Sequence, residues 1–447
     1  MKKRKRFNRF TGLFLTIALL FAMCINFTAG GIAAAMATED ETRISRSNDW
    51  VKSDGSYGFP ESLRHEKGYL IGTQDQIRAA TQIPDNILKT ISTEELISLI
   101  LEYPLLPHLH AYQTVEEGYQ AIKPNFNGFS ELLSREDAFS KLIEVYDNYA
   151  IPSEKIMDWD SLSQDNFVDE FNRIIRDKDY IPLVLADGAV YTSIDILEML
   201  IYDLVGTNKS ASNMDRFTES YINKLGEKID SAYFDDVNPA MLLVYMIEAE
   251  DDNALKDCIM EKLSITSIEA GSQDTSSISL SAQSIPAVYN SNYPITTPGG
   301  KTAYVILDPN IQMCSYSEWA SLIAGYPSAS LVSLASKTFN CHSYAWLSRQ
   351  FPGAASTTDM NYQNMWLNSF TPFATDSYYT EISNPTAGCI AAWSAHSGII
   401  MTPNIWYSAS GPEHLMISKW ASGPMVSHYM RDCPYYNSGN TVEYYTW

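Results

Sequence analysis

The chain has 447 residues, a formal net charge of −22 and a hydrophobic fraction of 45%. A hydrophobic fraction of this size supplies a packed core and excludes a globally disordered chain. The acidic balance excludes binding to nucleic acid or to anionic surfaces through general electrostatics. At roughly 150 residues per domain, the length predicts two or three domains.

The N-terminus has the three-part layout of a secretory signal. Residues 2–9 include six basic residues and no acidic one, and residues 13–27 form a largely apolar run. Ala-Met-Ala at 35–37 fits a cleavage site, so we predict a signal peptide over 1–37, with a retained membrane anchor as the alternative. Losing six positive charges leaves −28 on the mature chain. We expect that chain to be secreted, extracellular or associated with the cell wall, without stable membrane association.

The charge is distributed unevenly along the mature chain. The stretch 286–447 holds eight acidic and five basic residues, a net charge of −3, so the preceding part carries −25. Residues 266–284 are rich in Ser, Thr, Gln and Gly, as flexible linkers are. We therefore predict an acidic helical domain over 38–265, a linker over 266–284 and a second domain over 285–447. The fold class is predicted to be α+β.

Local signals predict four helices in the acidic domain. Ser92 begins a capping box that precedes an apolar stripe. Ser134 is predicted to open a second helix in a similar way, and Thr192 with Asp195 a third that ends near Gly206. Asn238, followed by a proline, is predicted to open a fourth. The apolar stripes have helical spacing and indicate ordinary core packing.

His108 and His110 lie two residues apart beside a proline and are candidate metal ligands. No third ligand is apparent from the sequence, so we interpret both as loop residues. The chain also lacks a Cys-x-x-Cys pair, a His-Glu-x-x-His helix, a Gly-x-Ser-x-Gly elbow and a phosphate-binding glycine loop. We therefore predict no metal site and no cofactor.

The C-terminal segment changes to short, β-like runs rich in Tyr, Trp, Ser and Gly. Residues 302–307 are predicted to form a strand and residues 316–324 a helix. Asn340 is predicted to be the N-cap of a buried helix that begins at Cys341. Three further strands are predicted over 388–393, 396–401 and 415–420.

The chemistry of this segment centres on a cysteine at a helix start and a histidine at a strand start. A helix N-terminus carries partial positive charge and unpaired N–H groups. We therefore expect a lowered pKa for Cys341 and stabilisation of the oxyanion that forms when its sulfur attacks a carbonyl. His396 is expected to take the thiol proton and later protonate the leaving amine. His342 is adjacent to Cys341 but is expected to point away from it.

These motifs carry a resemblance to a known superfamily. Residues 340–346 (NCHSYAW) resemble the nucleophile segment of CHAP and NlpC-type amidases, and 388–390 (GCI) with 396–400 (HSGII) resemble the strand and histidine block. Residues 417–420 (ISKW) and His428 resemble a recurrent tail. The resemblance implies a papain-like fold, in which helices pack on a small antiparallel sheet. It also implies cleavage of amide bonds, in many members within peptidoglycan peptides. Residues 92–146, with Tyr103-Pro104 and Phe126-Asn127-Gly128, resemble the helical region found in many secreted Firmicutes proteins.

The chain departs from the superfamily pattern at two positions. Cys389 stands where members often carry Asp after Gly. Ser418 matches the position of the third catalytic residue, which is usually His, Asn, Gln or Glu. Glu413, His414, His428 or a backbone carbonyl are the alternatives for orienting the imidazole.

Cys341 also has a structural interpretation, as a buried thiol or half of a disulfide. Signal removal leaves five cysteines, and the odd number leaves at least one unpaired in a monomer: Cys258, Cys314, Cys341, Cys389 and Cys433. Three functions are open: a peptidoglycan hydrolase, a cysteine hydrolase or transferase acting on proteins, and a non-catalytic cell-surface or glycan-binding module. The expected partner is peptidoglycan or a peptide substrate, and the oligomeric state is open.

Overall fold

A computed structural model describes most of the chain outside the N-terminus and the predicted linker. The described residues are 47–65, 70–112, 114–162, 166–208, 210–231, 292–307, 315–336, 338–351, 361–393, 396–403, 407–408, 411–420, 423–437 and 439–447. They combine helices with antiparallel sheets, which confirms the α+β class. The predicted signal peptide, the linker and the helix start at Asn238 lie outside them.

The helical part has nine described α-helices and a buried 3₁₀ helix, Leu106–Ala111, in the described ranges up to 231. The α-helices are α1 Gln74–Ala80, α2 Asp85–Leu88, α3 Thr93–Leu101, α4 Val115–Ile122, α5 Asn127–Ser134, α6 Ala138–Asn148, α7 Phe167–Ile174, α8 Ile181–Asn208 and α9 Ala211–Asp230. The capping box at Ser92 is confirmed, because its hydroxyl accepts from Glu95 N–H and the Glu95 carboxylate accepts from Ser92 N–H.

Two other predicted helix starts are wrong. Ser134 is the last residue of α5, and its hydroxyl donates to the carbonyl of Glu131. The next residue, Arg135, is extended because its guanidinium donates to carbonyls near α2, and α6 begins only at Ala138. Thr192 lies inside α8, where its hydroxyl donates to the carbonyl of Gly188 at 2.7 Å and satisfies itself within the helix.

The C-terminal part contains three antiparallel sheets and two short α-helices in its described ranges. Its elements are β1 Asn292–Thr296, β2 Thr302–Leu307, α10 Tyr316–Ala324, β3 Ser330–Ser333, β4 Met365–Leu367, α11 Thr371–Ala374, β5 Thr380–Ile382, β6 Ile390–Trp393, β7 His396–Thr402, β8 Tyr407–Ser408, β9 Gly411–Pro412, β10 Leu415–Lys419, β11 Met425–Tyr429 and β12 Glu443–Thr446. The main sheet has the order β3-β11-β10-β7-β6-β12-β5. The predicted strands and the helix over 316–324 are confirmed.

The two faces of the main sheet bury different partners. On one face, Ile390 and Ala392 of β6 pack against Trp346, in the π-helical turn Ser343–Leu347 that follows Cys341. On the other face, Ala391 and Trp393 pack against the segment that follows β11. This alternation of side chains along a strand places the helix of Cys341 on the first face.

Helix α8 of the helical part crosses helix α10 of the C-terminal part at very close range. A Cβ atom on Gly188 would lie 2.3 Å from Ser321 Cβ and 2.9 Å from the carbonyl oxygen of Ser317. Arg176, just after α7, adds a polar link, because its guanidinium donates to carbonyls at and beyond the end of α10: Ile323, Ala324, Tyr326 and Ala329. The described residues of the helical and C-terminal parts therefore form one compact unit.

Helix α7 also covers strand β3, which is at the end of the main sheet. The side-chain amide of Asn172 donates to the carbonyl of Leu331 at 2.8 Å and accepts from Leu331 N–H at 2.7 Å. Both backbone groups of Leu331 are therefore satisfied by a side chain from the helical part.

None of the helices in the described ranges combines the length and the apolar character needed to cross a bilayer.

Two glycines of α8 test the close crossing with opposite expected signs. We expect Gly188→Ala to lower the free energy of unfolding by about 1–3 kcal/mol, because neither Ser321 Cβ nor a backbone carbonyl can move aside easily. Gly206→Ala is the matched control, since a Cβ there has no neighbour within 4 Å. It is expected to stabilise by about 0.5–1 kcal/mol through helix propensity. Urea titration of the full chain measures both changes, and equal effects would contradict the close crossing.

Candidate functional site

Cys341 begins the short helical segment that Asn340 caps. The Asn340 carboxamide oxygen accepts from the backbone N–H and the hydroxyl of Ser343, each at 2.9 Å. Its amide donates to the carbonyl of Leu367 in β4 at 2.9 Å, while Leu367 N–H donates to the Ser343 hydroxyl at 2.8 Å. The predicted cap is confirmed, and the same side chain fixes the helix start against β4.

The sulfur of Cys341 lies against backbone donors but is buried. N–H groups of Ser397 and His342 point at it, and these lower its pKa, as does the charge of Lys419. Burial outweighs them and raises the pKa of Cys341 to about 11. The predicted lowered pKa is therefore wrong for this conformation. Removal of water destabilises the thiolate by more free energy than the helix N-terminus contributes to its stabilisation.

Lys419 is a buried cation close to the cysteine. Its ammonium group donates to the carbonyl of Gly423 at 2.6 Å and lies 5.0 Å from the centre of the Phe339 ring. Phe339 directly precedes the cap residue Asn340. The only basic side chain of β10 is thus held beneath the start of the Cys341 helix, where it favours negative charge on the sulfur.

His396 is fully buried at the first position of β7. Its ring stacks on Tyr435, with centroids 4.3 Å apart, and lies 5.1 Å from the Trp393 ring. Neither ring nitrogen has a hydrogen-bond partner among the described residues. Burial lowers the pKa of His396 well below its usual range, and the nearby His428 and His342 lower it further, so the ring is neutral.

The structure brings Cys341 and His396 into the same neighbourhood without bonding them. The N–H that reaches the sulfur belongs to Ser397, the residue after His396. The Ser397 hydroxyl lies 2.8 Å from His342 Nδ1 and accepts from Trp346 Nε1 at 3.1 Å, so it faces the Cys341 helix. Successive strand residues point to opposite faces, and the His396 ring accordingly lies against Tyr435 on the other face.

Ser418 does not orient His396 in this conformation. Its hydroxyl lies 2.7 Å from Nε2 of His428, while His428 Nδ1 donates to the carbonyl of Tyr429 at 2.9 Å. Ser418 pairs with Gly398 in the sheet, so it shares the face of His396, two residues along β7. The Ser418 hydroxyl, which was predicted to orient His396, therefore bonds to His428 instead.

The remaining sequence candidates have other surroundings. Glu413 pairs with Arg431, and His414 is buried beside Tyr444. Cys341, Cys389 and Cys433 are free thiols, whereas Cys258 and Cys314 lie outside the described residues.

Tyr435 and Lys419 are site residues that the sequence analysis did not select. The Tyr435 hydroxyl donates to the carbonyl of Ala111, at the end of the 3₁₀ helix Leu106–Ala111. A segment of the helical part therefore holds the ring on which His396 stacks. An aromatic residue just beyond the tail motif is no distinctive signal in a chain this rich in tyrosine. By contrast, a basic residue such as Lys419 inside an apolar strand pattern is a distinctive signal, because burying a charge is costly.

His108 and His110 also differ from the sequence interpretation. Both lie buried on the 3₁₀ helix, not in a loop, because their rings find partners in distant elements. His108 bonds to the hydroxyl of Tyr326, and His110 contacts Thr192 and Glu318.

The raised pKa of Cys341 predicts slow alkylation that depends on pH. At pH 7 a thiol with a pKa near 11 is ionised in only about one molecule in 10⁴, and the rate should rise about tenfold per pH unit up to about pH 10. Residue-resolved mass spectrometry after iodoacetamide treatment measures this rate, with Cys341→Ala as the control for peptide assignment. A fast rate that is already constant near pH 6 would instead indicate a preformed thiolate.

The buried histidines predict that acid destabilises the fold. Burial lowers the pKa of His428 to about 4, so its contribution is present above about pH 6.5 and is lost as the pH falls towards 4. At about 1.4 kcal/mol per pKa unit, His428 alone accounts for about 3 kcal/mol. Urea midpoints between pH 7 and pH 4.5 should fall less steeply for His428→Gln than for the wild type. Ser427→Ala, on the opposite face of β11, should keep the wild-type slope.

Comparison with protein-family models, with curated proteins and with solved structures found no match to this chain. The function is therefore inferred from the chain's own residues. These are the capped helix that begins at Cys341 and includes His342, the buried Lys419 close to it, His396 of β7 and His428 of β11.

Proposed function

We propose that the C-terminal part is a secreted cysteine hydrolase that cleaves amide bonds, with Cys341 as nucleophile, His396 as base and peptidoglycan peptides as substrate. The observation that carries the proposal is a helix-start cysteine, whose sulfur receives the backbone N–H of Ser397, next in the chain to a fully buried histidine, His396, whose two ring nitrogens have no hydrogen-bond partner among the described residues. Buried imidazole nitrogens rarely lack a hydrogen-bond partner. A general base needs a ring nitrogen with an available lone pair to accept a proton, which accounts for this exception.

The proposed chemistry follows from these groups. The His396 imidazole takes the Cys341 proton, and the thiolate attacks the amide carbonyl carbon to form a tetrahedral oxyanion. N–H groups at the helix start stabilise that oxyanion. The carbon–nitrogen bond then breaks, the amine leaves with the proton from the imidazolium, and a thioester remains on sulfur. Water attacks the thioester with His396 as base, which releases the carboxylate and restores the thiol.

This chemistry requires a conformation other than the described one. The His396 ring must leave the Tyr435 ring and move, by rearrangement of the start of β7, to the face of the sheet on which the sulfur lies, and the site must admit a substrate. In the proposed enzyme the described conformation is the resting state, in which the thiol stays protonated and the base stays neutral. The papain-like arrangement, with helices against an antiparallel sheet, is part of the same proposal.

A second candidate is a non-catalytic cell-surface or glycan-binding module on this fold. The buried thiol with its raised pKa favours it, because an inert cysteine would have this environment. It predicts saturable binding to cell wall or glycan without any covalent intermediate.

One experiment separates the two candidates. The full chain is incubated with purified peptidoglycan, quenched in acid, and analysed for released muropeptides and for an acyl group on the Cys341 peptide. We expect release and acylation by the wild type, acylation lost in Cys341→Ala, and release reduced by at least about 10³-fold in His396→Gln. Cys389→Ala, a buried free thiol elsewhere in the sheet, is the control and should retain activity. Binding without release or acylation would support the second candidate.

A further inference from the structure

Three elements from distant parts of the chain meet behind the main sheet and bring together a histidine and two carboxylates. His110 comes from the 3₁₀ helix Leu106–Ala111, Asp195 from α8 and Glu318 from the first turn of α10. One possible ligand atom from each lies within 4.8 Å of the others. His110 and Glu318 are buried, and Asp195 is partly buried.

The hydrogen bonds of Thr192 determine which nitrogen of His110 carries the proton. The Thr192 hydroxyl donates its only proton to the carbonyl of Gly188 at 2.7 Å. His110 Nε2 lies 3.1 Å from the same hydroxyl oxygen, so Nε2–H must be the donor in that contact. In the neutral ring, Nδ1 then carries a lone pair.

That lone pair faces an oxygen atom that is also an acceptor. His110 Nδ1 lies 3.1 Å from Oε1 of Glu318. The other Glu318 oxygen is already used, because it accepts from the backbone N–H of Ser315 in a capping box. Two acceptors at this distance repel unless a proton or a cation lies between them. A cation there would also lie near Asp195, which has a carboxylate oxygen within 4.8 Å of a ligand atom of each of the other two residues.

We propose that His110, Asp195 and Glu318 bind one divalent transition-metal ion such as Zn²⁺ or Mn²⁺. For ligands about 2.1 Å from a metal, a separation of 3.1 Å between ligand atoms corresponds to an angle of about 95° at the ion, which lies between the octahedral angle of about 90° and the tetrahedral angle of about 109°. An imidazole nitrogen beside two carboxylates favours a transition metal over Ca²⁺ or Mg²⁺, which prefer oxygen ligands alone.

The surroundings resemble those of protein metal sites. Thr192 holds the ring nitrogen opposite the proposed metal, which fixes both the tautomer and the ring orientation. The backbone N–H of Ser315 donates to one oxygen of Glu318 and so fixes the orientation of that carboxylate.

Such an ion would join the helical part to the C-terminal part. Two ligands come from the helical part and the third from α10, so the metal would stabilise the contact between the parts. His110 also precedes Ala111, whose carbonyl accepts from the Tyr435 hydroxyl. The proposal does not depend on the chemistry assigned to Cys341.

The test uses the full chain, stripped with chelator and titrated with Zn²⁺ and, in a separate sample, with Mn²⁺. We expect about one Zn²⁺ per chain after desalting, a higher melting temperature, and binding weakened about 100-fold or more in Asp195→Asn and His110→Gln. Glu198→Gln is the matched control, since Glu198 lies one turn along α8 and pairs with Lys228 instead. It should retain the ion.

X-ray absorption of the wild-type zinc complex keeps the test decisive if a variant fails to fold. We expect only nitrogen and oxygen ligands, at about 2.0–2.1 Å. Sulfur at about 2.3 Å would place the ion on the cysteines and overturn the proposal. Absence of retained Zn²⁺ and Mn²⁺ would also overturn it, and would assign the His110–Glu318 contact to a shared proton.

Discussion

The close crossing of α8 and α10 is the constraint on which the rest of the described structure depends. Gly188 has no Cβ, so the helix backbones approach until its Cα faces Ser321 directly. The same face of α8 carries Thr192 one turn further on, which contacts His110, and Asp195 two turns further on, which lies near Glu318 in the first turn of α10. A bulkier residue at position 188 would separate the helical part from the sheet that it covers.

Burial, more than local charge, sets the chemistry around Cys341. A capped helix start, two backbone N–H groups and a buried lysine all favour the thiolate, yet removal of water leaves the thiol protonated. The same effect keeps His396 neutral although its nitrogens are unbonded. A thiol and an imidazole that could exchange a proton are therefore present, but in the described conformation both are uncharged and they are not in contact. Access of solvent or substrate would change their ionisation.

Local sequence signals predicted the helices and strands of the C-terminal part better than they predicted which side chains contact one another. Strand β2 and helix α10 have the predicted bounds, because alternation and a capping box are encoded within a few residues. The start of α8 was missed because Thr192 bonds within the helix as readily as at a cap. The partner of Ser418 was missed because a diagonal contact between strands depends on register, which no local pattern specifies.

The interpretation of His110 as a loop residue was wrong for a related reason. Its two carboxylate neighbours lie far along the chain, and only the packing of α8 against α10 brings them near. Cys341 and His396 could be selected from the sequence because each occupies a characteristic place at the start of an element. Their mutual geometry depends on Tyr435 and on the helical part behind it, which the motifs do not include.

The contact between Asn172 and strand β3 has a consequence for solubility. A carboxamide side chain has the same donor and acceptor as a peptide group, so Asn172 occupies the place that a strand from another molecule would take beside Leu331. An uncovered sheet edge is a template for intermolecular strand pairing. A protease that removed the helical part would expose this edge together with the apolar face beneath it. The helical part thus guards the sheet against self-association, whatever else it does for the site.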